Sequence, residues 1–87
     1  MNVAWTEHAE HRLLEWSRRR GITREQVEDT VVTPAQIVPG HAGLYIAQSR
    51  MGPGLLRVPF FEVEDSRTIV TVYWTSQINR YWRPDAN

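Results

Sequence analysis

Arg57 stands between Leu56 and Val58 in an otherwise apolar run, so a fixed positive charge there needs either a carboxylate partner or an open sheet face. Glu62 is the candidate cross-strand partner. Without one, an arginine on an open sheet face becomes a candidate for phosphate binding, because its planar fork grips two oxygens at once. The tail Arg80-Tyr81-Trp82-Arg83 interleaves cations with rings, the combination that neutralises phosphates and stacks bases in single-strand binders. The same four residues also suit a terminal strand in which Tyr81 and Trp82 pack and the arginines reach out to water.

A third constellation lies near the start of the chain. His8, Arg12 and Arg19 fall on one helical face, where an imidazole four residues from a guanidinium can act beside a phosphate as proton donor and charge clamp. A solvated helix face with Glu15 and Arg19 paired at i, i+4 accounts for the same pattern. His8 and His11 have the three-residue spacing of helical metal ligands, but no second helix supplies matching ligands and His41 sits alone in a Gly-flanked loop. The histidines therefore read as exposed or capping residues, and no metal is expected. Nor is any cofactor, since there is no Gly-rich phosphate loop, nucleophile elbow or dinucleotide fingerprint.

Two kinds of element must position these residues. Thr6 can cap a first helix that runs to about Arg20 and stops at Gly21, with Glu7 in the first turn where the helix dipole favours an anion. Ala9, Leu13 and Trp16 share its buried face. Thr23 and Gln26 form a capping box for a second helix, with Ile22 and Val27 as its hydrophobic staple, and Pro34 ends that helix at or before Thr33. Beyond Gly40 the period drops to two, and residues 44–50, 55–63 and 67–75 read as three strands joined by the turns at 51–54 and 64–66. Both connections are too short for a crossover, so the strands pair as an antiparallel meander. Residues 36–38 and 78–82 are candidates for further edge strands. Pro59, which cannot donate to a ladder, signals a bulge or an outward-facing edge. Strict alternation would turn Val70, Val72 and Trp74 toward the helices, leaving Thr71 and Tyr73 beside Arg57 on the other face.

The expected fold is thus α+β, two N-terminal helices on a three- to five-stranded antiparallel meander, forming one domain over residues 1–87. A chain of 87 residues buries only about 60–65% of its unfolded surface. With no cysteine, it relies on packing or on an oligomer interface. Ten acidic residues balance ten basic ones, so net charge alone draws the chain to neither nucleic acid nor anionic lipid. All ten basic residues are arginine, which fits either phosphate recognition or genomic codon bias. No apolar run is long enough to span a bilayer, and the early charges at Glu7 and Glu10 do not suit a secretory leader, so a cytoplasmic location is expected.

Glu7-His8-Ala9 with Arg12, then Arg20-Gly21-Ile22-Thr23 and Val27, resembles the opening of a bacterial family of small domains with helical His-Ala-x-x-Arg and Arg-Gly-Ile segments. In that family a meander follows that ends in a Val-Thr-Val-Tyr-like strand, here Ile69 to Tyr73. The family is similar in architecture to the RelE and BrnT ribonuclease toxins of toxin–antitoxin pairs, in which helices back a sheet whose other face holds RNA. The resemblance implies RNA cleavage without a metal: a 2′-hydroxyl attacks the adjacent phosphate, arginines stabilise the growing charge, and a His, Glu or Tyr moves the protons. It implies catalytic roles for His8, Arg12, Arg57, Arg80 and Tyr81, and RNA contacts by Arg57, Thr71, Tyr73, Arg80, Trp82 and Arg83. It also implies an antitoxin chain as protein partner. The alternative is a non-catalytic interaction module, for example a homodimer, suggested by neutral charge and four tryptophans in a short chain.

Overall fold

The computed structural model describes residues 1–85. Its elements are β1 (Asn2–Trp5), α1 (Glu7–Arg20), α2 (Arg24–Val32), β2 (Gln36–Pro39), a 3-10 turn at His41–Gly43, β3 (Tyr45–Met51), β4 (Gly54–Val63), β5 (Ser66–Ile69), β6 (Tyr73–Thr75) and a short α3 (Ile78–Tyr81). The class is α+β, but the sheet is mixed and has six strands: the order is β1-β5-β4-β3-β2, with β6 also paired to β4. No helix among the described residues is long and apolar enough to cross a membrane.

Local chemistry sets both helices. The Ala9 N–H donates to the Thr6 hydroxyl oxygen at 3.1 Å, and Gly21 closes α1 in the left-handed region with φ 66°, its N–H donating to Ser17 O. Thr23 and Gln26 complete the capping box of α2, each side chain accepting from the other's backbone. Ala9, Leu13 and Trp16 of α1 join Val27 and Val31 of α2 in a core with Ala47, Leu56, Val58, Phe60, Ile69, Val72 and Trp74. The helices therefore cover one face of the sheet, the face that carries Leu56, Val58 and Phe60 of β4.

The purely antiparallel meander needs correction at three places. Asn2–Trp5 is a strand, paired in parallel with β5, which the helix layer permits because α1 and α2 follow it on one face. Residues 78–81 form a helical turn instead of an edge strand. The third hairpin strand is broken in two. Phe60 pairs with Ile69 and Arg57 with Tyr73, so Val58 and Pro59 face three residues, Val70, Thr71 and Val72. Val70 N–H donates to Pro59 O at 2.9 Å, but the prolyl nitrogen on that same edge has no hydrogen to return. The ladder fails there and one extra residue enters as a bulge. Its consequence is a change of parity. Ile69 is fully buried in the core alongside Val72 and Trp74, whereas simple alternation would have turned it away.

Thr6 ties the layers together at the bulge, its hydroxyl lying 3.0 Å from Ile69 O and 3.1 Å from Val70 O. At the other hairpin, β4 begins so close to β6 that a Cβ on Gly54 would overlap Thr75 O and come within 2.6 Å of Trp74 Cζ2. Backbone cannot yield to that contact as a side-chain tip would. Gly54→Ala should therefore lower stability by about 2 kcal/mol, read from the urea midpoint at unchanged m-value.

Candidate functional site

The sheet face turned away from the helices carries a straight polar row. In register, Gln36 of β2 lies opposite Gln48 of β3, Gln48 opposite Arg57 of β4, and Arg57 opposite Tyr73 of β6. Their side chains bond in the same order: Gln48 Nε2 donates to Gln36 Oε1, Arg57 Nε donates to Gln48 Oε1 at 2.8 Å, and Arg57 Nη1 donates to the Tyr73 hydroxyl oxygen. Gln48 is fully buried and Arg57 only 6% exposed. This is an arginine whose position is set from both sides before any ligand arrives.

The C-terminal segment lies across the row and is held by it. Gln48 Nε2 donates to Tyr81 O at 3.0 Å, Gln36 Nε2 donates to Arg83 O at 2.8 Å, and Arg83 N–H donates back to Gln36 Oε1 at 2.9 Å. This places the Tyr81 ring 4.0 Å from the Arg57 guanidinium carbon, so the cation is stacked as well as hydrogen-bonded. Between the segment, the sheet and the 3-10 turn is a cleft of about 440 Å³ walled by Arg57, Tyr73, Arg80, Tyr81, Arg83 and His41 among others.

The electrostatics of this cleft are one-sided, since no acidic residue among the described residues lines it. Glu62, the candidate partner of Arg57, instead bonds Arg67 Nε at 3.0 Å, while Arg67 Nη1 donates to Val31 O at the end of α2. Arg12 pairs with Glu15 at 3.3 Å, and Arg24 with Glu10. Arg19 does not pair with Glu15; it stacks on Trp16 at 4.3 Å. Arg24, Arg20 and Arg50 cover Trp5, Trp74 and Trp82 at 4.4, 3.6 and 4.8 Å. Among the described residues, then, every tryptophan is roofed by an arginine, and three arginines form carboxylate pairs. Arg57, Arg80 and Arg83 meet no carboxylate of the described residues within ion-pair distance. The Arg57 hydrogen bonds engage Nε and Nη1 alone, so its outer Nη2 edge has no acceptor among the described residues, although a guanidinium carries five donors.

Five residues singled out in the sequence thus meet in one place: Arg57, Tyr73, Arg80, Tyr81 and Arg83. Thr71 lines a smaller neighbouring hollow of about 210 Å³ together with Tyr73 and His41. Trp82 stands beside the cleft, under Arg50. His8 and Arg12 are not brought to it. Both lie on α1, whose buried face packs on the opposite side of the sheet, because the same Ala9, Leu13 and Trp16 spacing that seals the core directs them outward there. No cluster of three or more His, Cys, Asp or Glu side chains suited to a metal ion occurs among the described residues. The sequence reading missed Gln36, Gln48 and His41. The available signal was polarity at alternate positions of two apolar strands, Gln36 before Val38 and Gln48 after Ile46, which becomes informative once the register aligns them with Arg57. No protein-family model matches the chain, and no curated protein or solved structure is significantly similar to it.

Proposed function

We propose that this cleft binds the sugar–phosphate backbone of single-stranded RNA and promotes its cleavage, the activity of a RelE/BrnT-like toxin. The observation that carries the reading is the Arg57 guanidinium, almost wholly buried, bonded among the described residues only to neutral partners, and lining a cleft shared by Arg80 and Arg83. A buried charge without a counter-ion is costly, and a phosphate supplies the missing partner.

The chemistry follows from what surrounds that phosphate. The ribose 2′-oxygen attacks the adjacent phosphorus, the bond from phosphorus to the 5′-oxygen breaks, and a 2′,3′-cyclic phosphate and a 5′-hydroxyl result. Arg57 and Arg80 stabilise the charge that builds on the phosphoryl oxygens. Tyr73, whose oxygen accepts from Arg57 and whose own proton is therefore available, protonates the leaving 5′-oxygen. His41, on the cleft wall, takes the proton of the 2′-hydroxyl. The test uses short single-stranded RNA and the purified protein without added metal. Fragments ending in a cyclic phosphate should appear and should be lost when the nucleotide before the cut is 2′-deoxy. Intact RNA after prolonged incubation, together with normal growth of cells expressing the chain, would count against the reading. On this proposal the antitoxin partner silences the protein by covering the cleft.

A second reading, the non-catalytic interaction module, draws on Phe61 and Val63, which are exposed at i, i+2 on the face that holds the cleft. Light scattering that shows a homodimer dissociated by Val63→Glu would favour it.

A further inference from the structure

A larger hollow lies beside α3. It measures about 670 Å³ and is lined by Arg50, Ser76, Gln77, Ile78, Asn79 and Arg80, again with no acidic residue among the described residues. Arg80 is common to this hollow and to the Arg57 cleft. Its Nη1 donates to Gln77 Oε1 at 3.4 Å, which ties the shared arginine to the wall of the outer hollow. Arg50 sits near the end of β3, and its guanidinium carbon lies 4.8 Å from the centre of the Trp82 ring, a cation–π contact.

We infer that this hollow is a second phosphate subsite, filled by a neighbouring nucleotide of the same RNA strand whose reacting phosphate meets Arg57. The inference rests on the RNA reading given above. A polyanion bridges the two sites through Arg80, which can contact phosphates on either side of it. Arg50 supplies the second fork, and Ser76, Gln77 and Asn79 supply neutral donors for phosphate or sugar oxygens. Because the inferred contacts are to phosphate and sugar oxygens, the subsite should add affinity and strand length without sequence preference.

The experiment measures binding of labelled 2′-O-methyl RNA, which cannot be cleaved through its 2′-oxygen, as a dinucleotide and as a hexanucleotide. Wild type should bind the hexamer at least about ten-fold more tightly than the dinucleotide. Arg50→Gln should remove most of that difference, leave dinucleotide binding unchanged, and reduce the magnitude of the hexamer salt slope by about 0.7, the increment for one phosphate contact on a single strand. Asn79→Glu, which leaves the Arg50–Trp82 stack untouched, should act in the same direction by repulsion. Both positions are solvent-exposed, and an unchanged circular dichroism melt verifies folding. If both variants bind the hexamer as wild type does while Arg57→Gln weakens both ligands, the second subsite is refuted and the Arg57 cleft stands. If Arg57→Gln weakens neither ligand, the RNA reading fails and the subsite with it.

Discussion

Arg57→Lys should lower the rate of RNA cleavage by about 10²–10³-fold while the protein stays folded. The substitution keeps the positive charge, so a site that merely attracted RNA would be little affected. What it removes is geometry. An ammonium cannot donate to Gln48 Oε1 and to Tyr73 at once with further donors left over for a phosphate in the same fixed plane, and it loses the guanidinium contact with the Tyr81 ring. If the guanidinium stabilises charge that develops during reaction, the loss falls mainly on kcat and less on KM. Single-turnover cleavage at saturating protein separates the two. An equal loss in binding and rate would instead assign Arg57 to uniform backbone binding.

Gln48→Leu should cost about 3 kcal/mol of stability and lower Tm by more than about 10 °C, although leucine fills similar volume and suits a strand. Gln48 is the hub of the row. It accepts from Arg57, donates to Gln36 and holds the Tyr81 carbonyl, all without access to water. Leucine leaves the Arg57 Nε–H without an acceptor in a buried site, a penalty larger than that of an ordinary lost hydrogen bond because the donor is charged. The same change loosens the C-terminal segment, so cleavage should fall further than unfolding alone explains. A variant as stable as wild type would show that the row contributes little to the fold.

The elements most legible in the sequence are those whose causes are local. Thr6, Gly21 and the Thr23–Gln26 pair each settle a helix end within four residues, and the Gly52-Pro53-Gly54 turn and the long apolar run of β4 are equally self-contained. β1 was hidden because four residues carry too little periodicity to reveal a strand whose partner lies more than 60 positions away. The bulge was announced by Pro59, yet its effect falls on the neighbouring strand, where the missing N–H shifts the parity of Ile69. Residues 78–82 carry strand-like residues, but in the structure side chains of Gln36 and Gln48 bind the backbone at Tyr81 and Arg83, a tertiary cause that no local pattern contains.

The candidate site was legible in its charges and not in its supports. Arg57 stood out because an arginine inside an apolar run demands an explanation, and the tail stood out for its alternation of rings and cations. His8 and Arg12 made an equally suggestive motif, but α1 directs them to the opposite side of the sheet. Net neutrality also concealed the asymmetry: Glu15, Glu10 and Glu62 pair with Arg12, Arg24 and Arg67, whereas among the described residues Arg57, Arg80 and Arg83 have no such partner.

Titrating isotope-labelled protein with a short 2′-O-methyl RNA and mapping the chemical-shift changes puts the central claim to its most direct trial. The largest changes are expected at the Arg57 side-chain Nε–H and at the backbone amides of Tyr73, Arg80, Tyr81 and Arg83, with the exposed side of α1 unmoved. Changes centred on His8, Arg12 and Arg19, or none at all at millimolar RNA and low salt, would contradict it.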